Sequence, residues 1–278
     1  MSVTLIVAVI LMGGLAGGVV GSLTGLGGGF VIVPLLTLVF HIPISEAVGV
    51  SLLGIIATST GSAPRFVGTG LSNMRAALFL QIAASSGALA GAMVAHHLPA
   101  RLLFAVFGIV LGYSAIMAFM PQHSDFAGAR YSSPLAKRLR LASSYKFGGE
   151  RIDYQVVGVI PGFGIMIGAG FLSALLGIGS GAFKVLAMDR VMKLPFRVST
   201  ATSNFMIGVT AATSAGFYLS HGDVQPVTAG AVILGMITGG YVGSHLVKSL
   251  PVAIMRKVFA AVILLVALQM LLKGVFNL

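Results

Sequence analysis

The sequence predicts an all-α polytopic membrane protein of two homologous repeats in inverted orientation, with about 8–10 membrane segments and glycine-broken helices. Three observations carry that prediction. Hydrophobic residues make up 57% of the 278 residues and charged residues only 8%, against about 25% charged in a soluble domain. Apolar runs of about 20 residues, long enough to span a bilayer, recur along the chain. One glycine-rich stretch is also written twice, as "GLGGGFVIV" at 25–33 and "GIGSGAFKV" at 177–185.

The spans follow in order. The first, 3–22, lacks a charged n-region and a clear small-residue cleavage site, and reads as a membrane span rather than a signal peptide. Others lie near 44–63, 74–95, 101–120, 154–176, 198–219, 225–247 and 252–272. Two shorter apolar stretches, 28–40 and 182–192, follow the glycine-rich breaks. Wound as one helix, 3–40 or 154–192 would reach roughly 57 Å, against about 30 Å of hydrocarbon. Each must fold back or break, and the glycines mark the place.

The two glycine stretches stand 152 residues apart (177 minus 25). Without a gap, the same offset pairs Pro43 with Pro195, Ser51 with Ser203, Thr58 with Thr210, Gly70 with Gly222, Gly87 with Gly239, and Gly91 with Gly243. It continues through "LP" at 98–99 and 250–251 to Phe107 and Phe259. Chance similarity of apolar helices would not keep turn residues in register, so the chain reads as a duplication: a first transmembrane repeat over 1–120, a basic cytoplasmic linker over 121–153, and a second repeat over 154–278.

The net charge of +11 does not form one basic patch, which argues against nucleic acid. Basic residues cluster at segment ends and in the linker, which holds Arg130, Lys137, Arg138, Arg140, Lys146 and Arg151. The positive-inside rule places the linker in the cytoplasm, where it reads as a topology determinant; a basic amphipathic segment on the anionic leaflet is the alternative. Five segments per half then put Arg65, Arg75, Arg190, Lys193, Arg197, Lys248, Arg256 and Lys257 inside, with mainly Arg101 outside and Lys273 near the outer end. An odd number of crossings per half inverts the second repeat. The chain has no cysteine, so disulfides, thiolates and Cys-based metal sites are excluded.

Neither glycine stretch is a phosphate loop. The first lacks the required lysine, and the second lacks Ser/Thr after its lysine. In a membrane, backbone released from helical bonding must find partners or line a wet cavity. A helix restarting after the break offers unpaired N–H groups and a positive dipole end, and glycine lets an anion approach them. The expected substrate site is therefore Gly25, Gly27, Gly28 and Gly29 in the first copy with Gly177, Gly179, Ser180 and Gly181 in the second. The competing reading, close helix packing, suits Gly13, Gly14, Gly17, Gly18 and Gly21. Lys184 stands where the first copy has Ile32, and a lysine inside an apolar helix is a functional candidate, or else one that snorkels to the interface. Asp189 is given a helical partner in Lys193, which leaves Lys184 without one. Ser51, Ser203 and Asn204 complete the set as neutral oxyanion donors; His245, Gln81 and the pair His96–His97 are weaker.

These residues resemble the sulfite exporter TauE/SafE family, also called the toluene-sulfonate uptake permeases. The resemblance rests on "GLGGGFVIVPLL", "GIGSGAFKV" and "KLPFRVSTATSNFMIGVTAATSA", and runs through nearly the whole chain. It implies a multi-pass transporter of the bacterial or archaeal inner membrane for small sulfur-containing anions such as sulfite, sulfoacetate or other organosulfonates. Gly25, Gly27, Gly29, Gly177, Gly179, Gly181, Thr202, Ser203 and Asn204 match the family's motifs. Ser180 and Leu186 depart from them, Leu186 standing where a proline is the pattern.

No nucleotide motif is present, so an ion gradient or the membrane potential must drive transport. A negative-inside potential favours anion efflux by about 2.3 kcal/mol per charge per 100 mV. The expectation is a secondary exporter working by alternating access, without cofactor, metal or nucleic acid; the oligomeric state is left open. The alternatives are an importer coupled to H+ or Na+ and a passive anion channel. An intramembrane enzyme built on Ser180 and His245 is disfavoured, because Gly28 in the other copy offers no nucleophile.

Overall fold

A chain that must break a long apolar run twice needs backbone that turns sharply without helical bonding, and both breaks turn through left-handed residues. The computed structural model describes residues 3–68, 70–119, 131–147, 150–246, 264 and 266–274. Arg130, Lys248, Arg256, Lys257 and most of the expected 252–272 span lie outside the described residues, as do the side chains of Arg65 and Lys146.

Helix α1, Val3–Thr24, stops at Gly25 (φ 75°), and α2, Gly29–Pro34, starts after Gly27 (φ 88°) and Gly28 (φ 77°). α2 runs on through a π turn, Leu35–Val39. The other helices of this half are α3 (Ile44–Gly68), α4 (Met74–Ala95) and α5 (Ala100–Phe119). After the linker, α7 (Val159–Leu176) stops at Gly177 (φ 66°). α8, Gly181–Leu186, follows Gly179 (φ 76°) and Ser180 (φ 39°) and continues through a π turn, Ala187–Val191. α9 (Phe196–Ser220) and α10 (Pro226–Leu246) complete the described elements of this half apart from 266–274, which is helical and packs on α5, where Arg101 Nε donates to Gly274 O at 2.9 Å. The π turns form whether Pro34 or Leu186 precedes them, so the departure at Leu186 does not change the half-helix.

Among the described residues, five helices are long and apolar enough to cross a membrane: α1, α3, α4, α7 and α10. α9 has 25 residues but is not among them, because the Ser, Thr and Asn side chains on it lower its hydropathy. It is covered by α3, α4 and α8 instead.

The boundaries keep the offset read from the sequence. α2, α3 and α4 begin at 29, 44 and 74, and α8, α9 and α10 begin at 181, 196 and 226. The left-handed residues His41 and Gly70 reappear as Lys193 and Gly222. Tertiary contacts exchange in the same way. α4 packs on α7 where Cβ positions at Gly87 and Gly91 would strike the carbonyls of Ile167 and Phe171. α1 packs on α10 where Gly239 and Gly243 would strike those of Leu15 and Val19. Glycine is needed here because these backbones touch. α3 and α9 meet at the centre, flanked by the two pairs.

The linker departs most from expectation. It contains a short helix α6, Pro134–Arg138, and an antiparallel hairpin, β1 (Ser143–Phe147) with β2 (Glu150–Tyr154). Residues 154–158, expected to open a span, close the hairpin instead and lead to a left-handed Gly158 (φ 59°). Leu141, Tyr145, Tyr154 and Val156 are buried with α4, α7 and α9 residues in one apolar cluster. Asn73 caps α4 by accepting from Ala76 N at 3.0 Å, and its Nδ2 donates to Leu141 O at 2.7 Å and to the Tyr154 hydroxyl at 3.0 Å. Val157 N donates to Met192 O at 3.1 Å, so the linker also ties to the end of the second half-helix. Lys137, Arg138, Arg140 and Arg151 remain exposed.

Candidate functional site

The two breaks meet. A Cβ at Gly181 would strike Gly25 O and lie 2.7 Å from the Leu26 Cα; one at Gly29 would strike Gly177 O and lie 2.6 Å from the Ser51 hydroxyl. Gly179 faces Leu26 O at 2.9 Å by the same measure. Residues 25–30 and 175–181 are buried throughout, so this conformation is closed at the centre.

The expected hydroxyls pin the breaks to each other reciprocally. Ser51 Oγ, on α3, donates to Gly177 O at 2.7 Å. Its counterpart Ser203, on α9, has its Oγ 3.3 Å from Gly25 O and 3.5 Å from Gly181 O. Asn204 reaches Ser22 O at 3.4 Å through Nδ2, while its Oδ1 is shielded from solvent with no hydrogen-bond partner. Ser59, which the sequence reading did not single out, anchors this turn of α9 by donating to Asn204 O at 2.7 Å. Ser180 combines two costs. It holds a left-handed conformation that glycine would take freely, and its Oγ is buried without a partner.

Lys184 is 0% exposed and does not snorkel. Its Nζ donates to Thr210 Oγ1 at 2.6 Å. Lys193 lies past the end of the π turn at φ 60°, so it does not stand one helical turn beyond Asp189 as the sequence reading assumed. Thr210 also accepts from Gln81 Nε2 at 3.1 Å, which draws α4 into the site. In the first half the same positions hold Ile32, Thr58 and Ile233. Thr58 donates to backbone only, with Gly54 O at 3.2 Å and Met236 O at 3.3 Å. The two half-sites therefore share a backbone and differ in side chains: one carries a lysine and a glutamine, the other isoleucines.

Gln81, a weaker candidate from the sequence, and Thr210, one polar residue among many on α9, are the side chains that the structure brings to Lys184. An amide within an apolar span was the available signal. The histidines sit at helix ends. His97 Nδ1 lies 2.8 Å from Met93 O, and His245 Nδ1 lies 2.9 Å from Tyr241 O, each one turn back on its own helix. His96 Nδ1 is 3.8 Å from Asp223 Oδ2 beside the α9–α10 turn. None of the three is placed at the breaks. Among the described residues, no group of three His, Asp or Glu could hold a metal ion.

Comparison with known proteins finds membrane transporters similar to this chain over most of its length. The chain is 28% identical over 273 residues to a probable membrane transporter protein, YunE, of Bacillus subtilis, covering 95% of this chain and 97% of that protein. A second Bacillus subtilis protein, YdhB, also a probable membrane transporter, is 30% identical over 239 residues, covering 86% and 89%. The probable membrane transporter protein MJ0441 of Methanocaldococcus jannaschii is 28% identical over 261 residues, covering 91% and 82%. No solved structure matches the chain. The profile of the sulfite exporter TauE/SafE family matches residues 9–270, and this multi-pass membrane protein, with its crossed glycine breaks, belongs to that family of membrane transporters.

Proposed function

We propose that the protein is a secondary transporter that exports a small sulfur-containing anion, such as sulfite, sulfoacetate or another organosulfonate, by alternating access between two inverted halves. The observation that carries this reading is the meeting of two left-handed glycine breaks beside a fully buried lysine. Each break directs first-turn N–H groups and a positive helix end toward the centre, which favours an anion once the breaks part. Discontinuous helices at a repeat interface are a common way to build such a site. The family name and the transporter names of the relatives support the class of activity.

The closed contact suggests how the cycle runs. Ser51 and Ser203 hold carbonyls of the opposite break. When the breaks part, those hydroxyls and the glycine N–H groups become free to bind an anion between the halves. Side chains larger than hydrogen at Gly29 or Gly181 would prevent the breaks from closing again. Reconstituted liposomes loaded with labelled sulfite or sulfoacetate test the reading. Efflux should rise with a potential that is negative on the loaded side. No anion flux at any potential refutes transport. Dependence on a proton or sodium gradient identifies coupled import instead, and unitary currents identify a channel.

A further inference from the structure

Gln81 has a donor side that is fully committed and an acceptor side that is not. The Thr210 hydroxyl has one proton and donates it to Met206 O at 2.9 Å, so it can only accept from Lys184 Nζ and Gln81. With that proton on Met206 O, the amide is assigned with Nε2 toward Thr210. The second Nε2 proton goes to Ser85 Oγ at 2.7 Å. No proton is left on Nε2, and Oε1 is shielded from solvent with no hydrogen-bond partner in a residue that is 8% exposed. Buried carbonyls are nearly always satisfied, so this acceptor calls for a donor from outside the chain. Beside it, the Lys184 amino group donates to Thr210 and is the basic group of the second half-site.

We propose that Lys184, Thr210 and Gln81 form a side-chain subsite that selects a small monoanion carrying its own O–H or N–H donor. Lys184 takes the anionic oxygen, Gln81 Oε1 accepts from the ligand's donor, and Thr210 holds the two side chains in register. A fully deprotonated oxyanion without a donor would leave the Gln81 carbonyl unsatisfied and bring a lone pair toward it, so it is discriminated against. Two sources supply a suitable ligand: a hydroxyalkyl or aminoalkyl sulfonate, with the donor on its chain, and a monoprotonated oxyanion such as hydrogen sulfite, with the donor on its head. The first half, with Ile32 and Ile233, has no equivalent pair.

This inference rests on the anion-transport reading, and the experiment separates the two. Sub-saturating fluxes of 2-hydroxyethanesulfonate and ethanesulfonate, equal in charge and differing by one hydroxyl, are compared in liposomes for the wild type and Gln81→Met. A second arm compares sulfite with ethanesulfonate at pH 6 and pH 8. Wild type should favour the donor-bearing anion by about tenfold, the worth of one net hydrogen bond, and the ratio should fall to about one in Gln81→Met. A preference in the first arm places the donor on the chain. A sulfite preference found at pH 6 and lost at pH 8 places it on the head. A wild-type ratio near one in both arms, or an equal loss of both anions in Gln81→Met, overturns the subsite. If wild type moves none of these anions, the transport reading falls with it.

Discussion

Replacing Lys184 with methionine should make the protein more stable and a worse transporter. The side chain is 0% exposed, and its ammonium is held by the Thr210 hydroxyl at 2.6 Å. A lysine at the centre of a membrane helix costs about 3 kcal/mol on insertion scales. A hydrogen bond from a charged group returns about 2 kcal/mol. Methionine has similar length and no charge, and Thr210 keeps its bonds to Gln81 and Met206. The balance predicts a gain of about 1 kcal/mol, or roughly 2–4 °C in Tm on the scaling for chains of 150–250 residues. Transport should move the other way. Losing a charge-assisted contact of about 1.5–3 kcal/mol lowers flux at low substrate roughly tenfold to a hundredfold. Thermal unfolding in detergent and flux in liposomes, measured on one preparation, check both signs. Wild-type flux in Lys184→Met would refute the role of the ammonium in binding. A large fall in Tm would refute the view that it is a stability cost kept for function.

Three further outcomes follow from the same geometry. Ser180→Gly relieves a left-handed residue at φ 39° and removes an unpartnered buried hydroxyl; against the flexibility that glycine adds to the unfolded chain, Tm should rise by the equivalent of about 1 kcal/mol. Gly181→Ala drives a methyl group into Gly25 O and the Leu26 Cα, so it should cost about 1–3 kcal/mol and abolish flux even where the protein still inserts. Asn73→Ala removes the α4 cap and both ties to the linker; a loss of about 2 kcal/mol should appear as faster limited proteolysis within 131–156, with cleavage elsewhere unchanged.

The breaks were legible because a left-handed backbone is costly for any residue with a Cβ, so glycine clusters announce it. Gly25, Gly27, Gly28, Gly177 and Gly179 all turn out left-handed. The offset of 152 was legible because turn residues keep their register while apolar residues drift. The linker hairpin was not read, although "SSYKF-GG-ERIDY" carries a hairpin signal in its paired glycines. Its polar composition hid it, and the apolar character of 154–158 made a strand end look like the start of a span. The link from Lys184 to Gln81 could not be read at all. It joins α8, α9 and α4 through a hydroxyl, and nothing in spacing ties residue 81 to residue 184. The inequality of the half-sites was readable in Lys184 against Ile32, but its extent, with Gln81 against Ile233, needed the packing.

Under the export reading, that inequality decides where the membrane potential acts. A site of helix ends and hydroxyls alone would carry the anion's charge on the loaded step and nothing on the return. With Lys184 charged and paired, a bound monoanion makes the moving centre neutral, so the loaded step is nearly insensitive to voltage. The empty step then carries the positive charge from the outward-facing to the inward-facing position, and a negative-inside potential favours that direction by up to about 2.3 kcal/mol per 100 mV for a full crossing. The cycle still exports one negative charge, but the drive is applied to resetting the carrier rather than to pushing the anion. A buried lysine placed in one half only is what makes that division possible, because a second ammonium at Ile32 would leave the loaded centre positive and set the two charges against each other across the crossed breaks.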